Sequence, residues 1–444
     1  MLASLLEGCG GGSASDSGNT DPASDYPSAP LTCALADQRA WLQSYMADQY
    51  YWYDQRGSPN AAATDMDGYF QSLLAKPQDR YSFSESTAQF NQFFTEGKNL
   101  GYGYMLAWAD ASMTTMKVLF VEPRSPVGLA GLRRGDSIVS IDGYSPAQIA
   151  AGTPGRASAA GIARTFVIRD ASKQTRQFTV SSAEYAFASV PASAVLAQDI
   201  GNRSVPVGYL VYQQFVSASA AELADVLQTF ATAGVRELVV DLRYNGGGSV
   251  ALARDLATLV GGSTLEGKTF AELRFNRRHP ASTTTYTFRA DGGLVPVAPL
   301  QGLTRVVFIA GPGTASASEL VINGLKPFLN VALIGATTYG KPYGFVPVDA
   351  CSITYNAVNF EAFNALGVGG YSSGIAPDCA VADDPDHALG DPAEGRLSAA
   401  LYYLRNGSCP PTANKALASH GASTPTPWAG RAFGEIAPAR MLAD

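Results

Sequence analysis

RVVFIAGPGTASASELVINGLKPFLNVALIGATTYGK, Arg305–Lys341, is the stretch whose reading decides the fold. RVVFIAG is an apolar run of strand length, ASELVINGLKPFL reads as a helix, and VALIGATTYG opens on a second apolar run. Strand, turn, helix and strand in that order argue a layered α/β domain. Between the first strand and the helix lies a turn of small residues that offers Ser316 at the helix start, and Lys341 follows 25 positions later. Serine is a weak nucleophile until a neighbouring base takes its proton. Lysine serves as that base when burial strips its own proton, because desolvation disfavours the charged form. The chain has three histidines, His279, His387 and His420, and none sits in a motif that suggests a Ser-His-Asp relay. Ser316 and Lys341 are therefore the pair to test.

The same alternation runs outward from this stretch. VGYLVYQQF reads as a strand, and Leu223, Val226, Leu227 and Phe230 mark one face of a helix that Gly234 ends. VRELVVDLR is a buried strand, and YNGGGSVALARDLATLVGG is a Gly-rich turn opening a helix. Bare amides in this Gly-rich turn suit a developing oxyanion, and the Ala317 amide points the same way if Ser316 attacks. Taken alone, those glycines equally suit a tight turn or a phosphate cradle. Ser318, two residues from Ser316, reads as structural. Glu319, one turn on, either helps to position Lys341 or is a first-turn carboxylate favoured by the helix dipole. Asp241 and Arg243 read as braces of the first turn.

Upstream, the chain changes character twice. CALADQRAWLQSYMADQYYWYD predicts an amphipathic helix with Leu35, Trp41, Leu42, Tyr45 and Met46 near one face, and MDGYFQSLLAK predicts a second. From about Asn99 the pattern is short strands and turns: LGYGYMLAWA, MKVLFVEP, a short helix in SPVGLAGLRRGDSIVSIDG, then a hairpin of FVIRD and TRQFTV. This order, with the loop Leu100-Gly101-Tyr102-Gly103, resembles a PDZ domain of the bacterial protease type. The resemblance implies a loop whose amides take a peptide carboxylate and a groove to which the peptide adds as a strand.

Composition bounds the rest. A chain of 444 residues with 46% hydrophobic content has room for two or three domains with real cores. A net charge of -7 and no basic patch exclude nucleic acid as a partner, and no apolar run reaches the roughly 18–20 residues of a spanning helix. MLASLLEGC resembles the end of a bacterial lipoprotein signal, with Cys9 as the lipidated residue, and a small-residue linker follows. Glu7 and the shortness of the leader depart from that pattern; a chance cysteine in a leader is the alternative. With Cys9 set aside, Cys33, Cys351, Cys379 and Cys409 form an even set suited to two disulfides in an oxidising compartment. Of three possible pairings the expected one is Cys351 with Cys379 and Cys33 with Cys409; four buried free thiols are the alternative.

The order of these motifs, the PDZ-like segment, DLRYNGGG, GTASASE, YGK and GIAPDCAV, is similar to that of the carboxyl-terminal processing (tail-specific) proteases, the S41 serine peptidases. The likeness covers roughly residues 97–382. It implies Ser316 as nucleophile, Lys341 as general base, and Ala317 with Gly246 or Gly247 as oxyanion hole. Two positions depart from the family pattern: Phe345 stands where many members carry Gln, and Pro327 where some carry Asp. The expected fold class is multidomain α+β, with a linker over 1–33, a helical N-terminal domain over 34–96, a β-rich PDZ domain over 97–184, a layered crotonase/ClpP-like α/β catalytic domain over 185–410, and a loosely ordered tail over 411–444. The expected function is a serine endopeptidase of the cell envelope, lipid-anchored on the periplasmic side. It would act on protein substrates captured by the PDZ groove, with no metal or cofactor, as a homo-oligomer or with an adaptor. A weakly active or inactive peptide-binding scaffold and an acyl-CoA enzyme are the competing classes; intact Ser316 and Lys341 argue against the scaffold, and an acyl-CoA enzyme would need neither that pair nor the PDZ-like segment.

Overall fold

The computed structural model describes residues 26–110, 112–289, 291, 293–411 and 413, together with the backbone of two C-terminal strands, Phe433–Gly434 and Arg440–Leu442. Cys9, His420 and most of the 1–33 and 411–444 segments lie outside the described residues.

A six-stranded sheet forms the centre, in the order Cys379–Ala380, Asn330–Gly335, Arg305–Ala310, Glu237–Asp241, Arg203–Val211 and Ala192–Ile200. Neighbours pair in parallel except the last, which runs antiparallel. Its apolar runs are explained by burial on both faces. Leu238, Val240, Val306 and Phe308 face the helices Ser219–Thr232, Val250–Gly261 and Ala317–Leu325. Val239, Val307 and Ile309, one residue out of phase, face the helix Gly395–Asn406.

A second six-stranded sheet covers the first helical layer, in the order Gly247–Ser249, Arg440–Leu442, Tyr343–Phe345, Val358–Phe363, Thr269–Phe275 and Thr284–Thr287. Phe270, Leu273, Phe360 and Ala362 from this sheet join the same core as the helices. The helix Ala317–Leu325 is thus enclosed between two sheets, and all nine of its residues are buried.

The N-terminal stretch folds as helices Leu35–Asp48, Met66–Leu73 and Thr87–Phe94, with a short strand Phe83–Ser86 between the last two. Trp41, Leu42, Tyr45 and Met46 are buried as the periodicity predicts, whereas Leu35 is exposed. The strand Phe83–Ser86 pairs antiparallel with Ile353–Asn356, so this region shares a small sheet with the chain beyond Lys341. That pairing corrects the expected disulfides. Cys33, just before the first helix, bonds Cys351 in the turn between the strands Val348–Ala350 and Ile353–Asn356. Cys379, on the edge of the central sheet, bonds Cys409, which follows the helix lying against that sheet. Each cysteine meets the element packed on its own, and the expected pairs sit on different elements.

Between these regions, the strands Tyr104–Trp108, Met116–Val121, Ser137–Ile141, Ala163–Arg169 and Thr175–Ser181 pair in succession, closed below by Lys98–Gly101 with Ala183–Ala186. Glu122 sits where this sheet unit meets the central sheet and accepts from the Ala188 amide at 2.9 Å. Burial pushes its carboxyl up to about 7, against hydrogen bonds from Ala188 and Arg124. Between the ordinary carboxyl value and 7 the folded state binds more protons than the unfolded chain, so stability falls as pH rises through that window. Urea unfolding is expected to show Glu122→Gln gaining on the wild type with rising pH, by on the order of 3 kcal/mol at pH 8. A difference that does not change between pH 4.5 and pH 8 would contradict this assignment.

Candidate active site

The strands Glu237–Asp241 and Arg305–Ala310 are parallel neighbours, with Asp241 opposite Ile309. Their carboxyl ends release two turns side by side, at the edge where α/β sheets bind ligands. The turns are laced together. Thr314 donates its hydroxyl to Leu242 O at 2.8 Å, and Asn245 O accepts from Ala315 N at 3.1 Å and from the Ser318 hydroxyl at 3.0 Å. Ser318 therefore ties one turn to the other.

Position 248 of the first turn leaves room only for glycine. A Cβ on Gly248, at φ +137°, would meet Phe215 O at 2.1 Å. Phe215 pins this turn from the far side, donating to Gly247 O at 3.0 Å and accepting from Ser249 N at 2.8 Å. The Gly247 amide is used within the turn, donating to Asn245 Oδ1 at 2.8 Å. Among the described residues the Gly246 and Ala317 amides meet no acceptor, which makes them the better pair for an oxyanion.

Ser316 caps the helix Ala317–Leu325 with φ +63° and ψ −119°, a left-handed conformation that costs a non-glycine residue about 1–3 kcal/mol. Its hydroxyl is fully buried and has no hydrogen-bond partner among the described residues. Strained backbone and an unsatisfied buried hydroxyl thus coincide at one residue.

Glu319 is fully buried on the first turn of that helix. Its Oε2 accepts from Ser316 N at 2.9 Å and from Lys341 N at 2.8 Å, so one oxygen atom joins the serine turn to the lysine turn. Its Oε1 accepts from Gly340 N at 2.8 Å and from the Thr338 hydroxyl. Burial pushes the Glu319 carboxyl up, and these four donors oppose it. Glu319 therefore sits on the first turn of the helix and also contacts the backbone of the Lys341 turn.

Lys341 is fully buried, with Nζ 3.8 Å from the centroid of the Phe345 ring. Its turn is held from the N-terminal region. Arg80 donates to Tyr339 O at 3.1 Å, Gly340 O at 3.3 Å and Ser372 O at 3.0 Å, and the Tyr81 hydroxyl donates to Gly340 O at 2.9 Å. Sequence reading missed Arg80, Tyr81 and Thr338, since nothing local to them signals a contact made across the fold.

The Leu100–Gly103 loop belongs to the sheet unit. Leu100 N donates to Asn99 Oδ1 at 3.0 Å, and Gly101 and Gly103 have φ of 151° and 87°. This unit touches the first turn through Met105, Leu119 and Phe120, which pack on Tyr244. Pro327 lies just past the end of the Ala317–Leu325 helix. Among the described residues no group of three or more His, Cys, Asp or Glu side chains is placed to hold a metal ion.

Residues 206–381 match the family model for peptidase family S41, and residues 37–83 match that for the peptidase S41 N-terminal domain. The carboxy-terminal processing protease CtpB of Bacillus subtilis is 25% identical over 281 residues, 62% of this chain and 54% of that protein. A carboxyl-terminal-processing protease of Synechocystis is 26% identical over 326 residues, 71% of each chain. This chain thus spans little more than half the length of the Bacillus relative. In fold, it is similar to an S41 protease structure from Bacteroides fragilis, with a TM-score of 0.65, 24% identity, and coverage of 82% of this chain and 96% of that one.

Proposed function

The chain belongs to peptidase family S41, and on that premise we propose that it is a serine endopeptidase with Ser316 as nucleophile and Lys341 as general base. The observation that carries the pairing is the Glu319 oxygen shared by the Ser316 and Lys341 amides, which makes two turns 25 residues apart into one site. Neutral Lys341 takes the Ser316 proton as the hydroxyl oxygen attacks a peptide carbonyl. The Ala317 and Gly246 amides hold the tetrahedral oxyanion. As the C–N bond breaks, the Lys341 ammonium returns the proton to the leaving amine, and water then releases the acyl group.

In support of a peptide substrate, the strand Arg440–Leu442 lies between Gly247–Ser249 and Tyr343–Phe345, pairing with both, so the edges beside the two turns accept an extended segment. We assign residues 97–184 the part of a PDZ domain that captures a protein C-terminus. The strand Phe433–Gly434 on the edge of Tyr104–Trp108 supports strand addition there. The proposal extends to location: two disulfides suit an oxidising compartment, and lipid at Cys9 would hold the enzyme to the periplasmic side of a membrane.

Casein digestion by the purified chain tests the reading. Wild type is expected to cut, while Ser316→Ala and Lys341→Ala each lose about 10³-fold or more of kcat. Equal activity in either variant, or no cleavage by wild type at any pH, would overturn it; the second outcome would favour a peptide-binding scaffold.

A further inference from the structure

A buried lysine head group needs something to fix its position, and the sheet next to it supplies an aromatic face. Lys341 Nζ stands 3.8 Å from the Phe345 ring centroid, inside the range of a cation–π contact, and both residues are fully buried. The backbone aims this ring. In the pairing of Tyr343–Phe345 with Val358–Phe363, Gly344 is opposite Phe360 but Phe345 is opposite Val358, so the register skips Asn359. Asn359 fills the gap by accepting from Val346 N at 2.7 Å. A bulge of this kind re-aims a side chain. The ring also packs on Phe83, edge-to-face at 5.7 Å and 80°, from the strand Phe83–Ser86 of the N-terminal region.

We propose that Phe345 is the positioning residue of the general base, its ring face holding the Lys341 head group beside Ser316. This inference rests on the Ser316–Lys341 reading above. Arg80, Tyr81 and Glu319 hold the backbone of the lysine turn; Phe345 acts on the nitrogen itself. An aromatic face attracts the ammonium more than the neutral amine, so it raises the proton affinity of the base. The ring face itself takes up no hydrogen bond of the amine.

The test replaces Phe345 by trifluorophenylalanine, which keeps the ring's shape while removing the negative potential of its face. Phe345→Leu and Phe345→Tyr are measured beside it, with casein cleavage followed across pH. The fluorinated chain is expected to move the acid-side limb of kcat, on which Lys341 becomes protonated, about one pH unit lower, because the ammonium has lost its partner. Phe345→Leu adds a fall in kcat of about 10- to 100-fold with KM little changed, since the nitrogen is no longer held in place. Phe345→Tyr, which keeps the face, stays within about threefold of wild type. The other ionisable groups on the surrounding elements are Glu319, Glu361, Arg80 and the phenols of Tyr81, Tyr339, Tyr343 and Tyr371. All of them are common to the four proteins, so a limb that moves with the ring belongs to Lys341. A limb that stays put in the fluorinated chain, with Lys341→Ala inactive, overturns the role of Phe345 alone. Undiminished cleavage by Lys341→Ala overturns the underlying reading instead.

Discussion

Glu319→Gln is expected to lower kcat by about 10²-fold with KM nearly unchanged, and Glu319→Ala to abolish turnover and destabilise the fold by about 3–5 kcal/mol. The asymmetry follows from counting donors. Four groups point at this carboxylate, and an ionised carboxylate only accepts, so it satisfies all of them. Alanine leaves three buried amides and a hydroxyl unpaired, each costing about 1–3 kcal/mol before relaxation. Glutamine keeps one accepting oxygen. Its amide nitrogen is best tolerated on the side of Thr338, whose hydroxyl can turn, which leaves the Gly340 amide as the single orphan. Either way the lysine turn shifts relative to Ser316, and misplacement of a base shows in kcat before it shows in KM. The carboxyl also has a pH signature. Burial raises its proton affinity, so the form that accepts from four donors is lost on acidification at a higher pH than for an ordinary glutamate. Wild-type activity is expected to fall on that limb in addition to the loss caused by protonation of Lys341, and Glu319→Gln to keep the Lys341 limb while lacking the Glu319 one. A glutamine variant with wild-type kcat, or with both limbs, would remove Glu319 from the site.

What could be read in the chain before its structure divides by range. The strand, small-residue turn and helix that present Ser316 were legible because they follow each other within a few residues, and Lys341 comes after the next strand. The disulfides were not, because their pairing depends on which hairpin the first helix rests against, and Cys33 meets Cys351 across 318 residues. Arg80 and Tyr81 were silent for the same reason: they act on carbonyls some 260 positions away. The strand Ala192–Ile200 alternates between inside and outside along its whole length, yet its inward positions are Ala192, Ala194, Leu196, Gln198 and Ile200. Alternation carried by alanine and glutamine has too little hydrophobic contrast to stand out. From sequence, Phe345 was only a departure from the family's Gln; in the fold its ring centroid lies 3.8 Å from the Lys341 nitrogen.

Arg243→Met is expected to destabilise the chain by about 3–5 kcal/mol at pH 8, and by less as the pH is lowered. Arg243 is fully buried and meets three carboxylates. Nε lies 3.0 Å from both Asp241 oxygens, Nη1 is 2.9 Å from Asp383 and 2.6 Å from Glu394, and Nη2 is 2.9 Å from the second Glu394 oxygen. Methionine fills much of the same volume but leaves those charges with fewer partners. For Glu394, burial pushes the carboxyl up, but Arg243 more than offsets this and holds it below the ordinary value. In the wild type that carboxylate therefore adds stability above the unfolded carboxyl value, which is lost as pH falls through the folded one. Without the arginine the sign reverses: the folded state binds the extra proton, and stability falls as pH rises. The gap between the two proteins must then widen with pH, which urea unfolding at pH 5 and pH 8 reads directly. Lysine is not an adequate replacement, since one ammonium cannot reproduce the planar fork that meets Glu394 through two bonds. The consequence reaches the active site because Arg243 begins the turn that carries Gly246, and because Asp383 also pairs with Arg134 of the neighbouring sheet unit at 2.6 Å. Arg243→Met that folds is accordingly expected to lose kcat as well as stability. A variant that keeps wild-type stability at pH 8, or loses the same amount at both pH values, would show that these three carboxylates do not depend on Arg243.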